Sequence, residues 1–188
     1  MKIMHSCFPW FTLCCVLLLV SPKSGATLPA PQSEFKATTV YLVRHAEKAA
    51  APAADPPLTE AGIKRAEDLA RKLAKAGIKT IFTSQYLRTK QTAEPLAKQL
   101  GLTATVVPVA MSAMNSRELS PDYLKQMAER ASTSPGPVLI VGHSNTVPEL
   151  LKALGGDIAP SIDDTVYDDL FVVTVYAKGK AKVAHLKQ

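Results

Sequence analysis

The sequence predicts an α/β fold: a mostly parallel central sheet with helices on both faces and an antiparallel edge hairpin at the C-terminus. Three observations carry this. From about Thr39 onward, short β-branched or apolar runs alternate with longer amphipathic stretches, the βαβα order of a parallel sheet. One run, Val138–Val141, is apolar at every position, as befits a strand covered on both faces. The last two strand-like runs, Phe171–Tyr176 and Lys182–Leu186, flank Lys178-Gly179-Lys180, a turn suited to a hairpin.

The elements follow in order. Thr39–Val43 is the first strand, and the alanine and proline patch Ala49–Pro57 after it reads as a loop. A helix is expected over Thr59–Ala76, with Thr59 as N-cap, Ile63, Ala66, Leu69, Ala70 and Leu73 on one face, and Gly77 just past its end. A strand at Lys79–Phe82 and a helix reaching Leu100 come next, then a strand at Ala104–Val107. Pro121 to about Ala131 reads as a helix with Ser120 as its cap and Pro121 at its first position. After Val138–Val141, a helix around Pro148–Leu154 is stopped by Gly155-Gly156.

The amino end differs from the rest of the 188 residues. Phe8–Val20 is almost wholly apolar, shorter than the ~20 residues of a bilayer-spanning helix, and Ser24-Gly25-Ala26 supplies a small-x-small cleavage pattern. Residues 1–26 therefore read as a signal peptide, 27–38 as an extended leader and 39–188 as the domain, of a protein exported to the periplasm or medium with no stable membrane anchor. Cleavage would remove Lys2, Lys23, Trp10 and all three cysteines, lowering the formal net charge from +6 to +4. Thiol chemistry, disulfides and cysteine metal sites are then excluded from the domain. The basic residues form no run and no aromatic interleaving, which argues against nucleic acid and suits a small anionic ligand.

In open α/β sheets the ligand site lies off the carboxyl ends of the strands. Two of the histidines stand there: Arg44-His45 follows the first strand and Gly142-His143 follows Val138–Val141. A third segment, Ser84 to Ala93, follows another strand and places Arg88 near the start of a helix. Guanidinium groups stay charged and present forked donors, so Arg44 and Arg88 converging with a histidine on one point describe a phosphate pocket.

These three segments, in this order, resemble the histidine phosphatase superfamily, also called phosphoglycerate-mutase-like. The family's Arg-His strand end is similar to Arg44-His45, its Ser-x-x-x-Arg-x-x-Gln-Thr-Ala segment to Ser84–Ala93, and its Gly-His strand end to Gly142-His143. The resemblance implies a phosphohistidine mechanism in which His45 is the nucleophile and Arg44, Arg88 and His143 hold the phosphoryl oxygens. Neither a metal nor any other cofactor is then needed, and the substrate is a small phosphorylated molecule. His45 must keep its attacking nitrogen unprotonated, so its other ring nitrogen should donate to a backbone carbonyl.

The acid that protonates the leaving oxygen is harder to place. Some members carry Asp or Glu directly after the second histidine, where this chain has Ser144. Glu118 is the best-placed carboxylate, and Glu47, otherwise a surface partner of Lys48, is another candidate. Ser144 and Asn145 serve either as substrate contacts or as caps of the next helix. The acidic stretch Asp163–Asp169 reads as a solvated connection rather than a calcium site. Little chain beyond Pro108–Ser120 is free to cover the site, so the pocket should be open and favour hydrolysis over mutase chemistry. The alternative is a phosphate-binding protein on the same fold that turns nothing over.

Overall fold

The structure is a computed structural model that describes residues 36–115, 118–158 and 160–188. The expected signal peptide and leader residues 27–35 lie outside the described residues. Ten elements follow in chain order: β1 (Thr38–Arg44), α1 (Glu60–Leu73), β2 (Thr80–Thr83), α2 (Leu87–Leu100), β3 (Thr105–Val106), α3 (Pro121–Ser132), β4 (Val138–Gly142), α4 (Thr146–Ala153), β5 (Asp169–Ala177) and β6 (Lys180–Lys187). The strands form one mixed sheet of order β3-β2-β4-β1-β5-β6. The first four strands in that order run parallel, and β5 and β6 add an antiparallel hairpin along the β1 edge.

Alternation along the central strands sends successive side chains to opposite faces. Val40 and Leu42 of β1 pack with Val138 and Ile140 of β4 under Met127 of α3 and Leu150 of α4. Val43, Leu139 and Val141 face the other way, against Leu69 and Leu73 of α1 and Leu96 of α2. β4 lies between β1 and β2 with all five residues buried, so an uninterrupted apolar run is required there.

Some local expectations need correction. Ile63 is exposed, because the buried stripe of α1 runs through Gly62, Ala66, Leu69, Ala70 and Leu73. A β-carbon on Gly62 would come within 2.2 Å of the Glu47 carbonyl oxygen, so only glycine lets α1 approach the loop after β1 this closely. Ser120 occupies the N-cap position of α3 but makes no side-chain capping bond. Thr59, by contrast, accepts from Gly62 N as a cap should. α4 begins two residues before Pro148, whose missing N–H costs nothing in a first helical turn. β3 shrinks to two residues at the sheet edge, both exposed. β6, the opposite edge, exposes Lys180 and Lys182 along its outer rim.

Candidate active site

Strand pairing assembles the site. Arg44 at the end of β1 is in register with Gly142 at the end of β4, and His45 N donates to Gly142 O at 2.9 Å. Both histidines therefore leave neighbouring strands at the same level, with ring centroids 5.3 Å apart. Thr83 of β2 pairs with Val141 on the far side of β4, so Ser84 arrives beside His143. Arg88 stands one residue into α2, its guanidinium 3.5 Å from His143 Nδ1. Arg44, His45, Arg88 and His143, predicted from 100 residues of chain, line one cavity of about 280 Å³ with Lys48, Tyr86, Ser144, Asn145 and Asp164.

The imidazoles are set by their hydrogen bonds. Ala46 O can only accept, so His45 Nδ1 carries the proton it donates over 2.8 Å and Nε2 keeps its lone pair. Arg88 can only donate, so His143 accepts at Nδ1 and donates from Nε2 to Ser84 Oγ at 3.0 Å. Burial pushes the proton affinity of both down, His45 to about 4 and His143 to about 3, and Arg88 and Arg44 add to the effect. At neutral pH both rings are uncharged.

The arginines are positioned by groups that sequence reasoning missed. Arg44 Nη1 donates to the carbonyl oxygens of Asp163 at 2.8 Å and Val166 at 2.9 Å, and its guanidinium lies 4.2 Å from the centre of the Tyr167 ring. The acidic stretch is exposed at Asp163 and Asp164, as a solvated connection would be, but its main chain also grips Arg44, and Asp169 is buried against His185 and Lys187. Arg88 stacks on Tyr86 at 4.3 Å and faces Asp55 at 3.8 Å. Asp55 also accepts from Leu87 N, serving the start of α2, where Tyr86 offers no side-chain cap. The Nε atoms of both arginines are buried without a partner, in a cavity where an anion's oxygens can reach the guanidinium groups.

The candidate acids separate. Glu47 is bound by Arg65, at 2.9 Å from Nε and 2.6 Å from Nη2, rather than by Lys48, and that contact holds its carboxyl below the usual range. It is a carboxylate at neutral pH and a poor proton donor. Glu118 accepts from Asn115 Nδ2 at 2.7 Å and lines an adjoining cavity of about 820 Å³, not the one that holds His45. Ser144 Oγ donates to Asp164 Oδ1 at 3.0 Å, and Asn145 takes the N-cap position of α4 without a side-chain cap bond. Neither residue caps α4. Thr146 accepts from His143 N instead. Among the described residues no group of three or more His, Cys, Asp or Glu side chains is arranged to hold a metal ion.

Several solved structures share this fold. One named as a candidate α-ribazole-5′-P phosphatase from Escherichia coli superimposes over 81% of this chain and 97% of its own, with a TM-score of 0.63 and 17% identity. Another, a candidate phosphohistidine phosphatase SixA from Agrobacterium tumefaciens, covers 80% of this chain and 98% of its own, with a TM-score of 0.60 and 28% identity. Residues 40–110, which include Arg44-His45 and Ser84–Ala93, match the family model of the histidine phosphatase superfamily (branch 1). A Yersinia pestis (strain Pestoides F) protein bearing the name phosphoglycerate mutase GpmB is 41% identical over 75 residues, 37% of this chain. The match spans 35% of that curated relative's length.

Proposed function

We propose that the protein is an exported, metal-independent phosphatase that hydrolyses phosphomonoesters through a covalent phosphohistidine on His45. One observation carries the reading: an imidazole whose Nδ1 proton is committed to Ala46 O stands in a small cavity with buried Arg44 and half-buried Arg88. His45 Nε2 attacks phosphorus in line with the ester oxygen. Arg44, Arg88 and Lys48 neutralise the charge on the equatorial oxygens, and His143 completes the ring around them. Water then displaces the phosphoryl group from His45. Fixed cations supply what a metal would otherwise supply. Hydrolysis is favoured over mutase transfer because the cavity adjoins a wider one and, among the described residues, Val109 and Met111 are all that the Pro108–Ser120 segment contributes to its lining.

Export rests on the apolar Phe8–Val20 stretch and the Ser24-Gly25-Ala26 pattern. Substrates outside the cytoplasm, such as phosphorylated envelope sugars, follow from it. Turnover of 4-nitrophenyl phosphate in EDTA, beside His45→Ala, tests the reaction. Activity that survives the chelator, with a base-stable, acid-labile phosphoryl label absent from His45→Ala, is expected. Stabilisation by vanadate without any turnover would instead identify a phosphate-binding protein.

A further inference from the structure

The 280 Å³ cavity that holds His45 has room for a phosphoryl group, and the 820 Å³ cavity beside it has room for the organic part of a phosphomonoester. Three residues line both cavities: Ser144, Asn145 and Asp164. An amide neither gives nor takes a proton in this chemistry, and a serine hydroxyl only relays one. Asp164 is the one carboxylate among the described residues lining the His45 cavity. Its Oδ1 lies 3.4 Å from Arg44 Nη2 and accepts from Ser144 Oγ at 3.0 Å, so it is held beside the phosphoryl-binding arginine and the residue following His143.

We infer that Asp164 is the general acid and base of the reaction, a role that rests on the proposed phosphatase activity. A substrate entering as its monoanion hands its proton to Asp164. As the bond from His45 Nε2 to phosphorus forms, the bond from phosphorus to the ester oxygen breaks. The electron pair stays on that oxygen, which takes the proton from Asp164 and leaves as an alcohol. Asp164, now a carboxylate, then takes a proton from the attacking water as the phosphorus–nitrogen bond breaks and its pair returns to His45 Nε2. The proton departs with phosphate, and Asp164 is reset. Glu118, on the outer cavity wall, is left without this role.

Leaving-group dependence tests it. Asp164→Asn should lower kcat on an alkyl phosphate such as glycerol 3-phosphate by about 10²- to 10⁴-fold, the usual worth of a positioned acid. Its kcat/KM on 4-nitrophenyl phosphate, which covers only the steps up to the phosphoenzyme and whose leaving group departs without a proton, should change less than about tenfold. The slope of log kcat/KM against leaving-group basicity should steepen in the variant. An equal loss of kcat/KM on both substrates means that Asp164 only steadies Arg44, and overturns the proposal. So does an unchanged alkyl phosphate rate, or a parent enzyme that cleaves 4-nitrophenyl phosphate but no alkyl phosphate. Failure of the parent enzyme to form a phosphoenzyme at all removes the phosphatase reading itself.

Discussion

Tyr167 is the least conspicuous member of the site and among the most informative. Its ring lies against the Arg44 guanidinium, while the carbonyls of Asp163 and Val166 hold that group from one edge. A cation stacked on an aromatic face gains about 0.5–2 kcal/mol. Tyr167→Leu should therefore raise KM for 4-nitrophenyl phosphate by about 2- to 30-fold. The His45 chemistry stays in place, so kcat should hold within a few fold; steady-state kinetics separate the two. The grip on Arg44 could not be read from the chain, because main-chain carbonyls carry no residue signature and these lie 119 and 122 positions away. The histidines and arginines could be read, because each stands where an apolar run stops or a helix begins. The Ala46 carbonyl that fixes the His45 tautomer is the very next residue, so that bond too was open to sequence reasoning.

At the scale of elements, α1 packs closely on the loop after β1 beside the site. Thr59 N donates to Glu47 O, Arg65 grips the Glu47 carboxylate, and Gly62 has no room for a side chain against that same carbonyl. Gly62→Ala should cost about 1–3 kcal/mol of stability, the usual range for overpacking, and should move the backbone two residues beyond His45. Urea unfolding reads the first effect and a lowered kcat/KM the second. Strand and helix positions were legible because period-two and period-3.6 patterns register burial, which tertiary packing enforces. The exception is instructive. Ile63 fits a helical stripe as well as Gly62 does, and only the proximity of Glu47, fifteen residues earlier in the chain, decides which of the two turns inward.

For the molecule as a whole, two uncharged histidines in the folded state make stability fall with acidity. An unfolded chain binds protons at both rings near pH ~6.5. The folded chain binds them only near 4 and 3. Their contribution is fully present above ~6.5 and is lost as pH falls, at up to about 1.4 kcal/mol per pH unit for each ring. Chemical unfolding in phosphate-free buffer should show roughly 3–4 kcal/mol less stability at pH 5 than at pH 7. His143→Gln should remove about half of that slope; an unaltered slope would mean that the rings titrate normally. The sheet's outer margins bear on a different property. An eight-residue edge strand with free main-chain donors and acceptors is a template for another molecule's strand. On β6 the Ala181 N–H is already taken by Gly155 O at 3.1 Å and the Lys187 carbonyl by Lys72 Nζ at 3.0 Å, and exposed Lys180 and Lys182 add like charge to the strand, so crowding alone gives the chain little reason to fibrillise.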